Sequence, residues 1–185
     1  MKLIVMDMQK GITVDALYNY DHFIENTVNI LKAARENQIE VIYVQHDDGP
    51  GSGFSQGDEA FEIADQVAPH PGEKRFVKHH GSCFGNKDFT KYLEDAGEDT
   101  LIIMGLLTNF CVNTTVQSAF ERGYKVIIPE GTNSTFDNQY MTGETAYKFF
   151  NEATWADYFA KCVSVEEAIA LMKQQSRLNQ EETIL

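Results

Sequence analysis

The sequence predicts a single α/β domain: a three-layer, Rossmann-like fold with a six-stranded, mostly parallel sheet and helices on both faces. Three observations lead there. The chain has 185 residues, 43% apolar and 23% charged, the size and balance of one globular domain. Its short apolar runs, such as Leu3-Ile4-Val5-Met6 and Val41-Ile42-Tyr43-Val44, are continuous rather than alternating. That marks strands buried on both faces. Amphipathic segments separate these runs, and strands taking turns with helices are the pattern of a parallel sheet.

Taken in order, residues 2–6 form a first strand closed by Asp7. From Asp21 onward Ile24, Val28, Leu31 and Ala34 recur at helical spacing, and Phe23 and Ile30 widen the stripe. Residues 39–45 form a second strand. A glycine-rich loop spans 47–60, but no Gly-Lys-Ser/Thr follows it, so a phosphate cradle is unsupported. Residues 74–79 form a third strand. Asn86 can cap a helix that runs to Ala96 and stops at Gly97. Residues 100–104 are the fourth strand, ending at Gly105, and a tight turn then delivers Cys111 to the first turn of a helix over 109–122. A fifth strand covers 124–128, and a polar loop follows through Asp137. A helix near 141–151 and a short sixth strand near 159–163 complete the pattern. Ser164 and Glu167 form a capping box for the last helix. The polar tail over 175–185 is expected to fray, and no repeat or linker divides the domain over 1–185.

Composition narrows the function. A net charge of −13 disfavours nucleic acids and anionic membranes as partners. The first apolar run is cut by Asp7, too early for a signal peptide or a membrane span. Cys83, Cys111 and Cys162 show no paired spacing, so no disulfide framework is expected and the cytoplasm is the natural compartment.

In a parallel sheet, ligands bind beyond the carboxyl ends of the strands, where strand order reverses. Asp7, His46, Lys78 and the turn before Cys111 all lie at that edge. A thiol at a helix start sits among unpaired N–H groups and the positive end of the dipole, which favours thiolate and can hold an oxyanion. Asp7 could take the Cys111 proton, and Lys78 could stabilise both anions. Gln9, one turn past Asp7, could bind substrate or hold its loop, and His46 could touch substrate. Phe54, Phe84 and Phe110 are candidate apolar walls. At most one of His79 and His80 can face the pocket. Cys83 lacks a helix-start setting, and Cys162 reads as core.

The segments Val5-Met6-Asp7-Met8-Gln9, Val77-Lys78-His79-His80 and Gly105-Leu106-Leu107-Thr108-Asn109-Phe110-Cys111-Val112 carry a resemblance. By their order and spacing the chain resembles the isochorismatase-like cysteine hydrolases, which include nicotinamidases and related amidohydrolases. The resemblance implies a Cys111–Asp7–Lys78 triad. It also implies a cis peptide between Leu106 and Leu107, with the Leu107 and Cys111 N–H groups as the oxyanion hole. Metal-binding relatives carry an Asp-x-His pair after the second strand. This chain has Gln45-His46-Asp47-Asp48 instead, so no metal and no other cofactor is expected. The implied activity is hydrolysis of a small amide or related C–N bond through a thioester on Cys111, in a homo-oligomer, dimer or tetramer. Two alternatives stay open: vinyl-ether hydrolysis of isochorismate with Asp7 as the acid, and a non-catalytic α/β binding domain.

Overall fold

The computed structural model describes residues 1–183. Its sheet runs β3-β2-β1-β4-β5-β7, with a short β6 beside β4, and every pairing is parallel. The strands are β1 (Lys2–Met6), β2 (Glu40–His46), β3 (Lys74–Lys78), β4 (Thr100–Leu106), β5 (Lys125–Pro129), β6 (Asn133–Ser134) and β7 (Lys161–Val163). The helices are α1 (Tyr20–Glu36), α2 (Lys87–Ala96), α3 (Asn113–Glu121), α4 (Gly143–Lys148) and α5 (Val165–Thr183). None of the described helices is long and apolar enough to cross a membrane.

Side-chain alternation along β1 separates two cores. Leu3 and Val5 join Val41, Phe23, Ile30 and Met172 on the face covered by α1 and α5. Ile4 and Met6 join Ile42, Phe89, Leu93 and Val116 on the face covered by α2 and α3. A continuous apolar strand is thus explained: each residue has a hydrophobic layer to enter, worth about 1.5–3 kcal/mol per large side chain. The capping signals act as read. Asn86 Oδ1 accepts from the Phe89 N–H at 2.8 Å, and Gly97 takes φ 64° to end α2. Ser164 Oγ accepts from the Glu167 N–H at 3.1 Å.

Three expectations are corrected. The polar loop after β5 contains β6, paired with Gly105 and Leu106. It enters the sheet although it is polar because Thr132, Asn133, Ser134 and Thr135 are buried with their side chains hydrogen-bonded. The 109–122 helix begins instead as a π-helical turn over Thr108–Val112. The helix expected near 141–151 is α4 only to Lys148, and a π-helical turn over Phe149–Thr154 follows it; α5 continues to Thr183, and residues 184–185 lie outside the described residues.

β1 lies between β2 and β4, so strand order reverses there and a crevice opens above their carboxyl ends. Gly105 sits in that crevice with φ 131°, opposite Met6, and a Cβ on it would land on the Met6 carbonyl oxygen. Gly105→Ala should therefore cost about 3–5 kcal/mol from overpacking and left-handed strain together. Thermal unfolding should show a loss of roughly 10 °C. Gly97→Ala, at a positive φ but with open space around it, should lose only a fraction of that.

Candidate active site

Asp7 follows β1 directly, and its N–H continues the ladder to the Val44 carbonyl at 2.8 Å. Its φ of 53° is a left-handed conformation that Asp tolerates better than bulky residues do. Lys78 closes β3 opposite His46, which closes β2. Cys111 lies in the π-helical turn between β4 and α3. There the Phe110 and Val112 N–H groups both donate to the Leu107 carbonyl, at 3.0 and 3.2 Å. The Leu106–Leu107 peptide is cis.

These elements converge on the Lys78 ammonium, whose side chain is fully buried. Its Nζ lies 2.8 Å from Asp7 Oδ2, 3.3 Å from Cys111 Sγ and 3.2 Å from His46 Nδ1. The Asp7 contact is an ion pair, and the hydrogen bonds of Nζ are those to Cys111 and His46; an ammonium has no lone pair, so His46 Nδ1 must accept. The His46 proton then sits on Nε2, which donates to Asp48 Oδ1 at 2.9 Å. No backbone or hydroxyl donor reaches either Asp7 oxygen, so Lys78 and the Cys111 thiol are its polar neighbours.

Burial raises the pKa of Asp7 above the ordinary carboxylate range, although Lys78 pulls it back. Burial also works against the Lys78 charge, but the anion of Asp7 outweighs it and the ammonium is held. The Cys111 thiol is pushed up to about 11, first by burial and then by Asp7, against the opposing pull of Lys78. The helix-start setting was expected to favour thiolate; burial and Asp7 act in the opposite direction. Sequence position put the sulfur at a helix start; the fold puts it against a carboxylate in a low-dielectric crevice. Burial and the Asp7 carboxylate both favour the thiol form of Cys111 beside the Asp7–Lys78 ion pair.

A cavity of about 250 Å³ opens onto Asp7 and Cys111, with His46 and Asp48 on one side and Phe54, Phe110 and Leu107 among its apolar walls. Gln9 does not reach it. Its buried amide donates to the His46 and Phe61 carbonyls at 2.9 and 3.0 Å and accepts from the His46 N–H at 2.8 Å. Gln9 holds His46 in place and has no polar atom left for substrate. Phe84 does not line the cavity either: it packs on Phe89 and Tyr124 at 5.5 and 5.6 Å, with the Arg122 guanidinium over its ring. It faces the α2–α3 core because the turn that carries it leads directly into α2. The His79 ring bonds the Asp47 carbonyl at 2.9 Å. Cys83 is fully buried, and burial pushes its thiol up to about 12. Among the described residues no group of three His, Cys, Asp or Glu converges to hold a metal ion. A larger groove of about 450 Å³ lies beside Phe120, Tyr158 and Phe159, away from these groups.

A polar layer beneath the turn that carries Cys111 was not read from the sequence. Thr108 Oγ1 donates to Asn133 Oδ1 at 2.8 Å, and Asn133 and Asn151 exchange amide bonds at 2.9 and 3.0 Å. Thr135 Oγ1 donates to Asn109 Oδ1 at 2.6 Å. This layer ties the turn that carries Cys111 to β6 and to the π-helical turn over Phe149–Thr154 that follows α4. The polar residues 132–135 were the available signal, but in sequence they look like an ordinary loop.

Comparison with known proteins agrees with this geometry. Residues 2–167 match the family model of the isochorismatase domain. The chain is 28% identical to streptothricin hydrolase of Streptomyces noursei, over 73% of this chain and 54% of that protein. It is 25% identical to ureidoacrylate amidohydrolase RutB of Rhizobium rhizogenes, over 90% of this chain and 83% of that protein. The chain spans about half the length of the streptothricin hydrolase and of a second curated relative. A crystal structure of a cysteine hydrolase from Pseudomonas syringae superposes with a TM-score of 0.85 at 25% identity, covering 94% of this chain and 92% of that one. The family match takes in Asp7, Lys78 and Cys111 together with every strand that presents them, and the chain belongs to the isochorismatase family.

Proposed function

We propose that this protein is a metal-independent cysteine hydrolase of a small amide or related C–N bond. The observation that carries the reading is the single ammonium of Lys78 shared between the Asp7 carboxylate and the Cys111 sulfur, at 2.8 and 3.3 Å. The thiol gives its proton to Asp7 as Sγ bonds to the substrate carbonyl carbon. The carbonyl oxygen takes the negative charge, and the Leu107 and Cys111 N–H groups receive it. As the tetrahedral adduct collapses, Asp7 passes its proton to the departing nitrogen and a thioester remains on Cys111. Water then attacks the thioester, giving a proton to Asp7. The C–S bond breaks, the acid leaves, and the sulfur recovers its proton from Asp7.

A neutral thiol suits this cycle, since the proton moves only as the carbon is attacked. A raised Asp7 proton affinity suits it too, because the carboxylate must hold that proton until the leaving group needs it. Lys78 directs one N–H at the sulfur and so lowers the energy of the anion formed during transfer. Metal independence is supported by His46: both its ring nitrogens are engaged, with Lys78 and Asp48, leaving no lone pair for an ion.

Incubation with a panel of small amides should trap an acyl adduct on Cys111, seen by peptide mass spectrometry, and Cys111→Ala should abolish turnover. Full activity in Cys111→Ala would instead favour acid catalysis by Asp7 alone. Asp7→Asn separates two effects. Removing the negative neighbour makes the thiol more acidic, so iodoacetamide should label Cys111 faster at pH 8, while amide turnover falls at least about 100-fold for want of the proton carrier. His46→Leu strands one buried Lys78 N–H and should reduce turnover roughly tenfold. His46→Asn, whose side-chain oxygen can accept that N–H, should restore most of it.

A further inference from the structure

The proposed hydrolase activity leaves the substrate open, and the charge pattern of the cleft narrows it. Among the described residues no lysine or arginine other than Lys78 approaches Cys111, and no lysine or arginine lines the cavity. Lys78 itself is fully buried, with its charge paired to Asp7 and its hydrogen bonds made to Cys111 and His46. A substrate carboxylate would therefore enter without a cationic partner.

The opposite charge has a partner. Asp48 lines the same cavity and its side chain is 55% exposed. Its one side-chain contact is Oδ1 with His46 Nε2, and the hydrogen-bond pattern makes that imidazole neutral, so the Asp48 charge is uncompensated. Neighbouring acids differ. Asp47 accepts from the Gly49 and Gln56 N–H groups, and Asp58 accepts from Ser55, so both are committed to shaping the loop. Only an imidazole ring and the Lys78 ammonium separate the Asp48 carboxylate from the Cys111 sulfur. A second cavity of about 500 Å³ shares Leu107 and Phe110 with the first and adds Phe136, Tyr140 and Phe150, together with Asp137, whose Oδ1 accepts from the Gly143 N–H at 2.7 Å. Aromatic faces beside a carboxylate favour cations and apolar bodies over anions.

We propose that the cleft selects small, largely apolar amides that carry a positive charge and turns away those that carry a carboxylate, with Asp48 setting the preference. This rests on Cys111 being the nucleophile, and one experiment separates the two ideas. The folded protein is treated with three methanethiosulfonates that share one reactive group: methyl (neutral), trimethylammonioethyl (cationic) and sulfonatoethyl (anionic). Rates at Cys111 are read by mass spectrometry and divided by those of N-acetylcysteinamide, which removes intrinsic reactivity. Cys162, which shares a cavity with Glu130 and Glu152, shows that the reagents reach other thiols of the folded chain.

The cationic reagent should outpace the anionic one at Cys111 by at least about tenfold, as expected for opposite charges passing a carboxylate a few ångströms away. Asp48→Asn keeps an acceptor for His46 and should shrink that ratio several-fold, and Asp48→Lys should invert it. A ratio near one overturns the substrate class. A ratio unchanged in both variants overturns the role of Asp48. Failure of all three reagents at Cys111 while Cys162 reacts would overturn the nucleophile assignment itself, and the charge proposal with it.

Discussion

The buried ammonium of Lys78 is the constraint on which the active crevice depends. Removing a cation from water costs several kcal/mol unless its charge and its donors are all met. Here the carboxylate of Asp7 meets the charge, and His46 and Cys111 accept the hydrogen bonds. Each partner comes from a different place: the end of β1, the end of β2 and the turn after β4. One cation thereby fixes the relative position of three chain segments, and any shift of the sheet edge would leave a buried donor or a buried charge alone. Stability and chemistry are tied to the same contact.

The rest of the fold serves to bring those ends together. Parallel strands β1 to β4 stop at a common edge because both faces of the sheet are covered by helices and only the strand ends meet solvent. The reversal of strand order beside β1 opens the crevice, and Gly105 lets β4 pass close enough to β1 for Cys111 to reach Asp7. Beneath the turn that carries Cys111, Asn133, Asn151 and Thr108 form a hydrogen-bonded floor in place of an apolar one. Such a floor orients the turn, because amide and hydroxyl bonds are directional where apolar contacts are not.

Electrostatics separates what a residue's place in the chain suggests from what its surroundings impose. A cysteine after a strand and before a helix is commonly acidified by the helix start. In this crevice burial and the Asp7 carboxylate reverse that tendency. The outcome is a thiol held beside a carboxylate, the arrangement on which the proposed proton transfer through Asp7 rests.

Much of this was legible in the sequence. Continuous apolar runs fixed the strands, since only a sheet covered on both faces accepts Leu3, Ile4, Val5 and Met6 in succession. Asn86, Gly97 and Ser164 marked helix ends through local hydrogen bonding and backbone freedom, which need no distant partner. The family motifs pointed to Asp7, Lys78 and Cys111 at one edge. Contacts between segments far apart in the chain were not legible. Gln9 turned out to brace His46, Phe84 entered the core, and polar residues 132–135 became a buried strand and floor. The direction in which a side chain points, and whether a polar group finds its partner, depend on packing between distant elements, and only the tertiary structure decides them.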